Sequence, residues 1–386
     1  MSLPLSPVSP ALPGPEGAAA LTALYAILRL AVARGASDIH LRAGTPPFLR
    51  VSGELWPLER GPLGEAEVEA LVLACLQRDR ERHRFESHQE SDFALDVPNV
   101  GRFRGSAYRT RGSAAVVLRI VNSLIPTLDE LGLPPQIAEF TKVESGLMLI
   151  VGPTGSGKST TLASIVNAIN HGRRCHILTI EDPIEFLLED VRSTVSQREV
   201  GTDTDDFASA LRSGLRQDPD VILVGEIRDL ETMRTAIQAS ETGHLVLASM
   251  HARTVSDAVH RVIDFFPFDE QRQVRSSLAQ SLVAVVAQRL LMRADGSGRV
   301  PAAEILVNTA RVQESISDPE RGVSLSQIIE EGNFYGMCTL QQDLIRLLVA
   351  GSIELPEAER FAPHVADLRL ALKRTGITTS QQVSSL

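Results

Sequence analysis

Aromatic residues are scarce in this 386-residue chain: they make up 4% of it, with one tryptophan and three tyrosines. Its cores must be built mainly from Leu, Val, Ile and Ala. Cysteine is scarcer still. Cys75, Cys175 and Cys338 stand far apart and no CxxC occurs, which argues against a disulfide framework and a cysteine-ligated zinc site and fits a reducing compartment. Lysine is confined to Lys142, Lys158 and Lys373, a bias toward arginine that says little about function. The formal net charge is −10, a poor balance for non-specific binding to nucleic acid or to an anionic membrane, although it leaves room for a local basic patch. No apolar run is long enough to span a bilayer. The best candidate, 18–33, is broken by Thr22 and Arg29 and reads as an amphipathic helix. The chain opens without the charged and apolar regions of a signal peptide, so a cytoplasmic protein is expected.

What is there is 43% hydrophobic and 22% charged, the balance of a soluble globular protein, with room for two or three domains. Residues 1–17, rich in Pro, Ser, Ala and Gly, are expected to form a disordered tail. Over 18–121 a helix ending near Gly35 is followed by alternating runs broken by Gly44, Pro46, Pro47 and Gly53, by a charged helical stretch and by more strand-like runs. That pattern predicts an N-terminal α+β domain with a largely antiparallel sheet. The proline-punctuated stretch "NSLIPTLDELGLPP" suggests a linker over 122–140. Over 141–310 the pattern changes: apolar runs at 147–151, 176–180, 221–224 and 245–248 alternate with helix-period segments. This is the signature of a parallel sheet covered on both faces, an α/β core. A small helical region is expected over 311–370 and a loose tail over 371–386.

The sharpest motif follows the first of those runs directly. "GPTGSGKST" comprises Gly152, Pro153, Thr154, Gly155, Ser156, Gly157, Lys158, Ser159 and Thr160, and it opens a segment with Leu162, Ile165, Val166 and Ile169 at helical spacing. This is GxxxxGK[ST] in its strand–loop–helix context. The glycines let backbone N–H groups turn inward around phosphates, and the helix N-terminus adds partial positive charge. Lys158 is placed to neutralise the β- and γ-phosphates of ATP, and the Ser159 hydroxyl to join a Mg2+ shell. A chance glycine-rich turn accounts poorly for strand, motif and helix together.

Hydrolysis also needs a carboxylate to orient or deprotonate water and another to hold magnesium through its water shell. In α/β sheets such groups belong at the carboxyl ends of strands. "HILTIEDPIEF" places Glu181, Asp182 and Glu185 just after a strand, and "VILVGEIRD" places Glu226 one glycine after another. The bland alternative is a pair of solvated acidic turns.

With these blocks in view the chain resembles the type II/IV secretion and pilus motor ATPases, most closely the type IV pilus retraction ATPases. The resemblance spans about residues 18–310. It rests on "GASDIHL", "GPTGSGKSTTLASI", "ILTIEDPIEF", "QREVGTDT", "ALRSGLRQDPDVILVGEIRDLETMRTAI" and "ETGHLVLASMHA", in the family's order. It implies a PAS-like N-terminal domain, a RecA-like P-loop NTPase core, and a homo-hexamer with ATP between subunits. It further implies an inner-membrane pilus platform protein as partner, with a paralogous motor ATPase as a further one, and a place on the cytoplasmic side of the inner membrane at the pilus base. Glu226 matches the Walker B acid and a magnesium site with Ser159. Glu185 matches the catalytic glutamate, with Glu181 and Asp182 as its neighbours. The tetracysteine zinc element of secretion and assembly members is absent, which favours the retraction branch. After the core, "TARVQESISDPERGVSLSQIIEEGNFYGMCTL" keeps the branch's "GM-TL" end and lacks its Arg-Asn-Leu-Ile-Arg centre. An assembly or secretion ATPase, an accessory paralogue and a nucleic-acid translocase stay open as alternatives.

Two further groups invite roles. Arg102, Arg104, Arg109, Arg111 and Arg119 cluster around Phe103 and Tyr108. Arginines interleaved with aromatics suit a nucleic-acid surface, a solvated hairpin face, or fingers that stabilise phosphoryl transfer in a neighbouring subunit. By position Arg104 and Arg119 resemble the family's paired N-domain arginines, and the acidic net charge argues against nucleic acid. His244 and His251 flank the run "LVLASM". Seven extended steps separate them by roughly 23 Å, too far for one metal or one phosphate within a subunit. His251, past the strand's carboxyl end, is the candidate γ-phosphate sensor. His244, at the other end, is a candidate for local hydrogen bonding or for facing another subunit. Both fall in the family's histidine box, and the bland alternative is a pair of satisfied histidines capping a buried strand.

Overall fold

The structure, a computed structural model, describes residues 14–51, 53–121, 124–320 and 322–374, with the backbone alone for 14–17. The tail expectations for 1–13 and 375–386 lie outside the described residues. The chain divides into two compact units, Met1–Ser123 and Leu124–Leu386.

The first unit runs α1 (Gly14–Ala33), β1 (Asp38–Arg42), β2 (Phe48–Val51), β3 (Glu54–Pro57), α2 (Glu65–Cys75), α3 (Asp79–His88), β4 (Glu90–Val97), β5 (Gly101–Thr110) and β6 (Ser113–Ile120). Its six strands form one sheet in the order β3-β2-β1-β6-β5-β4, every neighbour antiparallel. Helix α1 starts inside the stretch read as a tail, at Gly14, since a proline is tolerated in a helix's first turn. Leu24, Ile27, Leu28 and Ala31 then present one stripe to the core shared with Ile39 and Leu118.

The second unit begins with α4 (Leu128–Leu131) and a 3-10 turn (Pro135–Lys142), and continues β7 (Gly146–Val151), α5 (Lys158–Gly172), β8 (His176–Glu181), β9 (Thr194–Glu199), α6 (Phe207–Gly214), β10 (Val221–Val224), α7 (Leu230–Glu241), β11 (Leu245–Met250), α8 (Val255–Asp264), α9 (Gln271–Ser281), β12 (Leu282–Met292) and β13 (Arg299–Val307). It ends with α10 (Ala310–Ser317), α11 (Leu325–Glu331), α12 (Leu340–Val349), α13 (Leu355–Phe361) and α14 (Val365–Arg374). The sheet order is β13-β12-β7-β11-β10-β8-β9. All neighbours are parallel except β13, which runs antiparallel to β12. Parallel pairing brings the carboxyl ends of β7, β8, β10 and β11 to one edge.

Three expectations are refined by the packing. The linker at 122–140 is mostly packed structure: Leu133, Ile137 and Phe140 join the core of β7 and α5. Its prolines start the 3-10 turn, and Thr127 with Glu130 forms a capping box on α4. The helical region expected after 310 is present as α10 to α14, and its first part packs into the main core. Val312, Ile316, Ile328 and Ile329 complete the core beneath β7, β10 and β11. Finally, α14 covers residues 371–374 of the expected tail, because Leu372 is buried.

The edge of β13 is closed by the chain itself. Ala303 N–H donates to Asp343 Oδ2 at 2.8 Å, and Ile305 exchanges backbone hydrogen bonds with Cys338. Asp343 is 1% exposed and also accepts from Arg346 Nε at 2.5 Å. Asp343→Ala leaves a strand N–H and a guanidinium without their acceptor. It is expected to cost about 2–3 kcal/mol, read as a lower urea midpoint at unchanged m-value. Asp343→Asn keeps an acceptor for Ala303 and is expected to cost less.

Candidate active site

The loop from Gly152 to Gly157 connects β7 to α5, whose first residue is Lys158. It rests on a side chain from the neighbouring strand β12, far away in sequence. Gln288 of β12, 2% exposed, donates from Nε2 to Ser156 O at 2.8 Å and accepts from Thr161 Oγ1 at 2.8 Å. Glycine is required where the loop meets that support. At Gly152 (φ 155°) a Cβ would sit 2.5 Å from Gln288 O, and at Gly157 (φ 88°) 2.9 Å from Gln288 Nε2. Lys158 Nζ donates to Gly152 O and Pro153 O, each at 3.1 Å, folding its ammonium over the loop. Burial pushes the Lys158 pKa below the ordinary lysine value, against the opposing pull of the Glu226 and Glu185 carboxylates.

Facing the loop are the acids. Glu226 follows β10 after Gly225, whose carbonyl accepts from Ser249 Oγ at 2.6 Å. Its Oε2 accepts from Arg228 Nη2 at 2.7 Å, and its Oε1 lies 2.9 Å from His251 Nε2. Partial burial would raise the Glu226 pKa. The Arg228 hydrogen bond and the charges of His251, Arg228 and Lys158 outweigh it and hold the carboxyl below the ordinary range. Glu181, at the end of β8, accepts from Thr179 Oγ1 at 2.8 Å and Gln197 Nε2 at 3.0 Å. Burial pushes its carboxyl upward in spite of these bonds. Glu185 is exposed in the loop beyond.

A cavity of about 260 Å³ collects Lys158, Ser159, Glu181, Asp182, Glu185, Glu226 and His251 on its walls, with Thr154, Gly155 and Arg228. These groups come from four strand ends, and the cavity opens at the N-terminus of α5. Together they offer donors and positive charge for a polyphosphate, and carboxylates for its terminal end. Magnesium usually keeps several waters and takes one or two protein oxygens beside phosphates. Ser159 and Glu226, both lining the cavity, fit that requirement, and a bound ion between them would neutralise phosphate charge.

Other expected residues lie elsewhere. His244 is not on the cavity wall. It sits at the opposite end of β11, its Nδ1 3.0 Å from Ala239 O and 3.3 Å from Thr242 Oγ1. Within this subunit it makes the local hydrogen bonding expected of it, at the end of α7. Arg104 and Arg119 are directly paired across β5 and β6 in the first unit, with Arg119 Nε 2.8 Å from Asp38 Oδ1. Their neighbours in the cluster are also matched by acids: Arg102 with Asp96 at 2.9 Å and Arg109 with Glu69 at 2.8 Å. Sequence reasoning missed Arg228, two residues past Glu226, and Gln288, whose signal was a lone amide in the apolar run "LVAVVAQRLLM".

Comparison with known proteins places these features. The family model described as Type II/IV secretion system protein matches residues 16–335. The Type IV pilus retractation ATPase PilT of Pseudomonas aeruginosa is 43% identical over 336 residues, 87% of this chain and 97% of that protein. The Type IV pilus ATPase PilU of the same organism is 40% identical over 360 residues, 93% of this chain and 94% of that protein. The crystal structure of the pilus retraction motor PilT with bound ADP superposes with a TM-score of 0.81 at 42% identity, covering 89% of this chain and 98% of that one. The α/β class with a RecA-like core, expected from the sequence, is the fold observed.

Proposed function

The chain belongs to the type II/IV secretion system protein family, and from that membership we propose that it is a motor ATPase that drives type IV pilus retraction, the motion behind twitching. The observation that carries the reading is the single cavity joining Lys158 and Ser159 to Glu185 and Glu226. It sits in a chain 43% identical over most of its length to a pilus retraction ATPase. Lys158 and the loop N–H groups grip the triphosphate. Glu226 and Ser159 serve the magnesium ion, Glu185 orients the attacking water, and His251 reports the state of the γ-phosphate to Glu226.

The work is done by a homo-hexamer on the cytoplasmic side of the inner membrane, pulling on a platform protein at the pilus base, alone or beside a paralogous motor. ATP held between Lys158 of one subunit and Arg104 and Arg119 of the next favours a closed interface, and hydrolysis releases it. Arg104→Ala is then expected to lower turnover in assembled rings about 10³-fold, with nucleotide affinity within about two-fold. Turnover per subunit at the wild-type level in a ring of confirmed mass would count against the finger role. The cellular test is a deletion strain: loss of retraction leaves more surface pili and no twitching, whereas a strain without pili would point to assembly.

A further inference from the structure

We propose that Gln197 is a positioning residue for ATP hydrolysis, its carboxamide clasping the segment that carries Glu185. The inference rests on the reading of Glu185 as the carboxylate that handles the attacking water.

The motif "QREVG" has no part in the phosphate loop or the acidic strand ends, yet the structure puts it beside both. Its first three residues end β9, an edge strand, which pairs in parallel with β8 in the register Thr179↔Gln197 and Glu181↔Glu199. Between the two strands the chain passes through Glu185 without regular structure, so its backbone groups take partners from side chains or water. Gln197 supplies two of them. Its Nε2 donates to Phe186 O at 3.0 Å, and its Oε1 accepts from Leu188 N at 2.8 Å. The carboxamide thus substitutes for a neighbouring strand's peptide group. The same Nε2 reaches Glu181 Oε1 at 3.0 Å, tying the clasp to the end of β8. On the other side of Glu185, Ile184 N donates to Glu199 Oε2 at 3.2 Å. Gln197 and Glu199 are two residues apart on a strand and point to the same face, so one face of β9 fixes the backbone on both sides of Glu185. Phe186 and Leu188 themselves wall the cavity that holds Lys158 and Glu226.

The clasp needs a donor and an acceptor on one side chain of this length. Leucine offers neither. A glutamate keeps the acceptor for Leu188 and turns an oxygen toward the Phe186 carbonyl and the Glu181 carboxylate. A shift of about 1 Å in Glu185 is enough to cost on the order of 100-fold in rate, while the phosphate loop, on another strand, is untouched.

The test uses the full-length chain and measures kcat and KM for ATP together with the Kd for ADP. Gln197→Leu and Gln197→Glu are expected to lower kcat about 10- to 100-fold, with ADP affinity within about two-fold of wild type. In the Glu185→Gln background the same substitutions are expected to lower kcat no further, since residues acting through one another are not additive. Should Gln197→Leu fold poorly, Gln197→Glu keeps the shape and carries the comparison. Wild-type kcat in both variants, or an equal fractional loss with and without Glu185, overturns the proposal. Wild-type turnover by Glu185→Gln alone overturns its premise instead, which separates the two failures.

Discussion

Lys158→Ala is expected to reduce ATP turnover at least about 10³-fold and to weaken nucleotide binding with it. The ammonium lies over the carbonyls of Gly152 and Pro153, in reach of any phosphate seated in the loop. The other arginine or lysine on the cavity wall is already committed. Arg228 is engaged by Glu226. Lys158→Arg is expected to fail nearly as badly, because a planar guanidinium is wider than the point charge this loop admits. Phosphate release by purified protein, with native mass checked for both variants, measures the effect. Turnover at a tenth of wild type or better in Lys158→Ala would mean that the loop does not carry the catalytic nucleotide.

The second large effect belongs to Glu226. Glu226→Gln removes the charge that Arg228 and His251 flank and the carboxylate proposed for the magnesium shell. Turnover is expected to fall about 100- to 1000-fold with ATP still bound, because the loop is untouched. The carboxyl also leaves a pH signature in the nucleotide-free protein. Its pKa is lowered in the folded state, so its contribution to stability is complete above the ordinary carboxylate pKa. That contribution is lost as pH falls through the lowered folded value. Comparing thermal midpoints of wild type and Glu226→Gln down that acid range should show the gap between them closing. A gap that widens toward acid would contradict the sign.

The residues that the cavity brings together were readable because their signals are local. A strand, a glycine loop and a helix adjoin in sequence around Lys158, and Glu185 and Glu226 each follow an apolar run within a few residues. What escaped was long-range support. Gln288 holds the phosphate loop from a strand well over a hundred residues away, and Gln197 holds the Glu185 segment by backbone contacts that leave no periodicity. Strand β9, "TVSQRE", is a half-buried edge with mostly polar side chains and carries no apolar run to announce it. Strands β12 and β13 are apolar, but a long apolar run does not distinguish strand from buried helix. The prolines of 122–140 were read as punctuation between domains. In the fold they begin a short turn that Ile137 and Phe140 pin to the core. The histidines follow the same rule. The length of β11 was enough to separate them, while the partner of each, Glu226 for His251 and the end of α7 for His244, depended on which strand and helix lay alongside.

The central claim is that Lys158, Glu185 and Glu226 act on one triphosphate. It is tested most directly by loading full-length Glu185→Gln with ATP, isolating the protein, quenching, and identifying the bound nucleotide beside a wild-type control. The expected result is intact ATP in the variant, at the occupancy with which wild type holds ADP. Bound ADP formed at the wild-type rate would contradict it, and so would a variant that holds no nucleotide at all.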